Sequence, residues 1–206
     1  RAGLVGSDGE THQGMFDISY FNSMPNMTIM APKNVLELEK MLEFAAGFDG
    51  PIAIRYPRGK AYTGLKEYDT KIEYGKSEKI TDGVDIALLA VGSMVETAVK
   101  VRKILLQHGI DVTIVNARFV KPLDEEMLSD IGRNHRYIIT MEEGILTGGF
   151  GESVSHWYQE NAPQMPFILP DKFIEHGSVE MLKKKYKIDA EGIAEKIMDF
   201  TGALYQ

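Results

Sequence analysis

Val84-Asp-Ile-Ala-Leu-Leu-Ala-Val-Gly-Ser93, followed by a periodic segment over residues 94–107, decides the fold class of this chain. From Asp85 to Val91 the run is nearly all apolar, as a parallel strand buried on both faces requires. Gly92-Ser93 turns the chain into a helix, and His108-Gly109 is its stop. The same alternation continues downstream. Residues 112–116 read as the next strand, Leu123-Asp124 opens a helix ending near Gly132, and residues 137–141 form a third strand closing on Glu142-Glu143-Gly144. Gly148-Gly-Phe-Gly151 precedes an amphipathic helix to about Gln159, residues 167–169 read as a fourth strand, and helices over 179–186 and 190–204 follow. Strands alternating with helices of this length predict an α/β fold with a doubly wound, mostly parallel sheet.

Upstream, residues from about 60 to 82 are rich in Lys, Glu, Tyr, Gly and Asp and lack a long period, so they read as a linker ending in a short strand near Ile80. Before it the order is loop, helix, strand, helix, strand. The apolar segment 15–21 is a short helix that Thr11 can cap, broken at Pro25-Asn26, and residues 27–30 are a buried strand. Asn34 is the N-cap of a helix to about Phe48, with Val35, Leu38, Leu42 and Ala45 at core spacing and Glu37, Glu39 and Lys40 off that face. Asp49-Gly50-Pro51 stops it, and the strand Ile52-Ala-Ile54 ends at Arg55-Tyr-Pro-Arg-Gly59. Ligands gather at such strand ends in open α/β sheets. The layout is therefore a first α/β unit over 1–62, a linker over 63–82 and a second unit over 83–206.

Composition narrows the function classes. The 206 residues are 44% hydrophobic and 26% charged, ordinary for a globular protein, and no apolar run is long enough to span a bilayer. A net charge of -7 argues against nucleic acid as a general partner, while one or two arginines in a cleft suffice for a small anion. The absence of cysteine excludes disulfides and thiolate metal sites.

Chemistry concentrates in Arg1-Ala-Gly-Leu-Val-Gly-Ser-Asp-Gly-Glu-Thr-His-Gln-Gly14. Asp8 and His12 on this glycine-rich loop suit binding of substrate hydroxyls or proton transfer; the alternative is a turn Asp with a capping His. Arg58, and with it Arg55, stands at a strand end, where a guanidinium can clamp a phosphate bidentately. Either arginine alone also fits a surface salt bridge, but Arg1 on the other loop strengthens the anion-site reading. Gly148 to Gly151 lacks the spacing of a dinucleotide fingerprint and the lysine of a P-loop, so close helix–strand packing accounts for it. Glu142-Glu143 reads as an acid/base pair or, more simply, a polar strand end. His108, His135, His156 and His176 share no metal-ligand spacing, so no metal is assigned within the chain.

Asp8-Gly-Glu-Thr-His-Gln13 resembles the DG-x-THQ loop of the transketolase-like thiamine-diphosphate enzymes. Arg1-Ala-Gly3, Gly14-Met-Phe-Asp17, Pro25-Asn26, Met30-Ala-Pro32, Arg55 to Gly59, Arg118-Phe-Val-Lys-Pro-Leu-Asp124, Glu142-Glu-Gly144, Leu169-Pro-Asp171 and Phe173-Ile-Glu-His-Gly177 extend the resemblance nearly end to end. They narrow it to the branch that decarboxylates pyruvate and joins the two-carbon unit to glyceraldehyde 3-phosphate, the first step of the non-mevalonate isoprenoid route. The resemblance implies the second half of a pyrimidine-binding domain followed by a transketolase C-terminal-type domain. Residue by residue it places Arg1 and Arg58 at the aldehyde phosphate, and Asp8 and His12 at the acceptor hydroxyls, where they assist proton transfer. It further implies thiamine diphosphate and Mg2+, a homodimer and a cytoplasmic enzyme (plastid in a plant). The family's diphosphate- and metal-binding motif and its ring-activating glutamate are not in the chain, so the main cofactor ligands and the N-terminal part of the enzyme are expected elsewhere, as a separate chain or fragment. Two rival readings are a C-terminal subunit of a split transketolase or a 2-oxo-acid dehydrogenase β subunit, and a non-catalytic binding or regulatory α/β module.

Overall fold

In the computed structural model, which describes residues 2–7, 9–158, 164–167 and 169–202, the chain folds into two sheets. The first stretch supplies α1 (Asp17–Asn22), β1 (Thr28–Met30), α2 (Val35–Ala46) and β2 (Ile52–Ile54). Then come β3 (Glu78–Thr81), β4 (Asp85–Ala90), α3 (Met94–Leu106), β5 (Thr113–Asn116), β6 (Phe119–Lys121) and α4 (Glu125–Asn134). Last are β7 (His135–Met141), α5 (Phe150–Tyr158), β8 (Gln164–Phe167), α6 (Val179–Lys185) and α7 (Ala190–Thr201). No helix among the described residues is long and apolar enough to cross a membrane.

The larger sheet runs β3-β5-β4-β7-β8, with β5, β4, β7 and β8 parallel and β3 antiparallel on the edge. Its centre is β4, where alternation sorts the apolar run onto two cores. Ile86, Leu88 and Ala90 pack with α3 and α7, through Val101, Leu105 and Ile193. Ala87, Leu89 and Val91 pack the other way, against Leu128, Ile131, Phe150 and Val154 of α4 and α5. Both faces are buried, as the sequence pattern requires. Fully burying each such aliphatic side chain is worth about 1.5–3 kcal/mol, so this strand is the anchor of the fold.

The smaller sheet runs β2-β1-β6, and β6 is a strand the sequence reading did not anticipate. It is short, lies between β5 and Pro122, and pairs antiparallel with β1, so the second stretch of chain completes the first sheet. The last parallel strand, β8, also falls earlier than residues 167–169. Gln164 and Pro166 interrupt the apolar run from which such a strand would be recognised.

The inward face of α2 differs from expectation as well. Asn34 does cap it, accepting the Glu37 N–H at 2.9 Å. Its buried positions, however, are Glu37 and Met41, while Leu42 is 54% exposed. The reason is electrostatic. The Glu37 carboxylate meets Lys33 Nζ at 3.0 Å and Arg118 Nε at 2.6 Å, and Glu78 meets Lys33 at 2.7 Å and Arg118 Nη2 at 2.8 Å. Two buried cations thus balance two buried anions from three separated segments, the condition under which such charges are tolerated.

Candidate active site

The residues from Ala2 to Gly14 fold back on themselves, with a neck made of two glycines. Gly3 N–H donates to Gly14 O at 2.8 Å and Gly14 N–H donates to Gly3 O at 2.7 Å. At Gly3, φ is +62° and an added Cβ would collide with the Glu143 carboxylate, so both backbone and space demand glycine. One side of the loop rests on the second half of the chain. Leu4 N–H donates to Glu143 Oε2 at 3.0 Å, and Leu4 and Met15 pack with Ile145, Leu169, Ile174, Leu182 and Ile188. Gln13 spans the interior, accepting from Val5 N–H at 2.8 Å and donating to Glu175 O at 3.3 Å. The other side faces solvent. It carries a single 3-10 turn, Glu10–His12, with Glu10, Thr11 and His12 exposed.

Thr11 does not cap α1. Its hydroxyl lies 3.0 Å from His12 Nδ1, and the N-cap position of α1 is held by Phe16, with no side-chain cap. His12 therefore stands in the loop turn, not at a helix start. Arg1 and Asp8, the other two candidates on this loop, lie outside the described residues.

The second loop leaves β2 at Arg55 and runs through Arg58. Ala2 forms a parallel bridge with Pro57, and its N–H donates to Tyr56 O at 2.9 Å. The structure thus brings the His12 loop and the Arg58 loop side by side, with Arg58 exposed. The two arginines of this loop have separate fates. Arg55 is buried, its Nε and Nη2 reaching Asp17 Oδ2 and Oδ1 at 2.9 and 3.0 Å and Nη2 also donating to Glu143 O at 3.2 Å. Burial alone would lower its pKa, but Asp17 raises it above the ordinary value, so it stays charged and occupied. Arg55 is a structural partner of Asp17 and is withdrawn as an anion clamp.

Glu142 and Glu143 are both buried and serve as backbone anchors. Glu142 accepts from Phe150 N–H at 3.1 Å and Gly151 N–H at 2.8 Å, filling the N-terminus of α5 where an external anion would otherwise sit. Burial pushes its pKa up to about 7, against the pull of those two donors. Position 149 has no room for a side chain, since an added Cβ would collide with the Ile145 carbonyl oxygen and come within 2.9 Å of Glu142 Oε1. Glu143 also accepts from Ser93 Oγ at 3.0 Å and pairs with Lys183. Burial would raise its pKa, but Lys183 and the Leu4 N–H hold it below the ordinary value. Neither carboxylate faces open solvent as an acid/base pair would. Glu143 was read from sequence as half of an acid/base pair or a polar strand end, and its anchoring role was not anticipated; Lys183 was not singled out, and Gln13 was seen only as part of its motif.

Among the described residues no three His, Cys, Asp or Glu side chains converge where a metal ion could sit.

The family described as the pyrimidine binding domain of transketolase matches residues 1–63, and that described as the transketolase C-terminal domain matches residues 75–193. The chain is 53% identical over 202 residues to the 1-deoxy-D-xylulose-5-phosphate synthase of Lachnoclostridium phytofermentans, covering 96% of this chain and 32% of that protein. The enzyme of the same name from Clostridium perfringens strain 13 is 46% identical over 203 residues, covering 97% and 33%. The chain thus spans about a third of the length of the curated relatives it matches. Among solved structures, a split-gene transketolase described as an inactive beta4 tetramer superposes with a TM-score of 0.83 at 24% identity, covering 92% of this chain and 62% of that one. The transketolase of Campylobacter jejuni superposes at 0.75 and 20% identity, covering 95% and 29%.

Proposed function

The chain belongs to the transketolase family, and from that premise we propose that it is the C-terminal part of a 1-deoxy-D-xylulose-5-phosphate synthase. The reaction is decarboxylation of pyruvate and carboligation to glyceraldehyde 3-phosphate, the first step of non-mevalonate isoprenoid synthesis. In this reading residues 1–62 are the second half of the pyrimidine-binding domain, 63–82 a linker and 83–206 the C-terminal domain.

One observation carries the site assignment: the Ala2–Pro57 bridge, which sets an arginine-bearing loop against the loop that carries His12. Arg58, with Arg1, holds the phosphate of the aldehyde, because a guanidinium offers paired donors in the plane of two phosphate oxygens. His12 and Asp8 contact the acceptor hydroxyls and assist proton transfer to its carbonyl oxygen. Thiamine diphosphate and Mg2+ are held mainly by residues outside these 206, in the N-terminal part of the enzyme, and the working form is a cytoplasmic homodimer. Nucleic acid and membrane have no part in it.

The test is product formation by the full-length enzyme. Pyruvate with glyceraldehyde 3-phosphate should yield 1-deoxy-D-xylulose 5-phosphate, whereas a xylulose 5-phosphate donor should not support turnover. The opposite preference would assign the chain to a transketolase. Full activity after combined loss of Arg58 and His12 would make it a non-catalytic module.

A further inference from the structure

We propose that Glu143 is a positioning residue for the acceptor wall, a single residue at the end of β7 that ties both loops to the second half of the chain. The proposal rests on the functional reading given above. Its side chain holds the first loop: Oε2 accepts the Leu4 N–H at 3.0 Å, next to the glycine neck. Its main-chain oxygen holds the second loop by accepting Arg55 Nη2 at 3.2 Å. Arg58 lies three residues beyond Arg55, and His12 lies at the far side of the loop that Leu4 enters.

The anchor is itself fixed. Ser93 Oγ donates to Oε1 at 3.0 Å and Lys183 Nζ pairs with the same oxygen, while the residue is only 3% exposed. A buried carboxylate with donors on both oxygens has a defined rotamer, and Lys183 and the Leu4 N–H favour its charged form. The absent side chain at Gly3 leaves the space that lets this carboxylate reach the loop backbone. The effect of Glu143 on the wall is transmitted through Leu4 and Arg55. Displacement of a binding group by about 1 Å is enough to cost up to about 100-fold in rate.

Glu143→Gln tests this in the full-length enzyme. The amide keeps the size but places an N–H2 against Lys183 or the Leu4 N–H, so the loop is released without opening a cavity. The expected result is a loss of about 10- to 100-fold in kcat/KM for glyceraldehyde 3-phosphate, with the KM for pyruvate unchanged. The preference for that substrate over unphosphorylated glyceraldehyde should shrink in parallel. Amide hydrogen exchange should accelerate over residues 3–14 and 55–59 while residues 86–90 of β4 remain protected. Lys183→Met should reproduce the effect and Lys183→Arg should restore most of it, which also covers the case that Glu143→Gln fails to fold. Unchanged preference together with unchanged exchange in both loops would overturn the proposal. Arg58→Ala is the separate control on the functional reading. If that variant retains the wild-type preference for the phosphorylated aldehyde, the phosphate assignment fails. Exchange alone then decides on Glu143, faster exchange upholding the tether and unchanged exchange overturning it.

Discussion

The Arg55 guanidinium grips both carboxylate oxygens of Asp17, at 2.9 and 3.0 Å, with the two side chains 7% and 10% exposed. This pair joins the strand end of β2 to the first turn of α1 and separates the duties of Arg55 from those of Arg58. Truncating Arg55 to Ala leaves Asp17 buried and unpaired, which costs about 3–5 kcal/mol. Arg58→Ala, at an exposed position, should move the melting temperature little. Calorimetry of the two variants checks the division, and equal destabilisation by both would refute it.

Replacement of His12 should affect the acceptor half of the reaction. His12→Ala is expected to slow carboligation by about 100-fold or more while pyruvate decarboxylation and pyruvate KM change little, in line with removal of one general acid–base group. Single-turnover kinetics with each substrate added in sequence separates the two steps. A larger effect on the pyruvate step than on carboligation would count against the assignment.

The buried quartet Lys33, Glu37, Glu78 and Arg118 predicts a charge-balance effect on stability. Arg118→Met leaves two buried carboxylates facing one ammonium, and should cost about 3–5 kcal/mol. Adding Glu37→Gln restores the balance and should recover part of that loss. Urea unfolding of the single and double variants gives the coupling. Strictly additive losses would show that the four charges do not act as one unit.

Glu142 predicts a pH signature. With its pKa raised from 4.5 to about 7 by burial, the folded protein keeps a proton that the unfolded chain has already lost between those values. Its contribution to stability therefore falls as pH rises through that window, by about 1.4 kcal/mol per pH unit at most. Glu142→Gln has no such titration, so the stability advantage of wild type over the variant should shrink between pH 5 and 7.5. Glu143, with its pKa lowered, works in the opposite sense and loses its contribution only as pH falls below about 4.5. A pH-independent difference between wild type and Glu142→Gln would contradict the raised pKa.

What the amino-acid order disclosed, and what it hid, follows from the range of the interactions. The β4 run could be read because its cause is local: alternate residues feed two cores, so nearly every position must be apolar. The face of α2 could not be read, because the partners that bury Glu37 come from Glu78's neighbourhood and from Arg118, 81 residues away. An amphipathic reading sends such a charge to solvent. Arg55 and Arg58 are chemically alike in sequence, and the burial of Arg55 against Asp17, 38 residues upstream, tells them apart. The strand β6 hid for another reason: three residues ahead of a proline carry too little pattern to declare themselves. His12 was recognisable through its motif, and the structure leaves it exposed in the loop turn.

The central claim is that two joined loops form a phosphate-reading acceptor wall, and Arg58 tests it most directly. In the full-length enzyme, kcat/KM should be measured for glyceraldehyde 3-phosphate and for unphosphorylated glyceraldehyde, with wild type and Arg58→Ala. The account predicts a rise in KM for the phosphorylated aldehyde worth about 1.5–3 kcal/mol in Arg58→Ala, with the unphosphorylated aldehyde nearly unaffected. An equal change for both aldehydes, or an unchanged KM for the phosphorylated one, would contradict it.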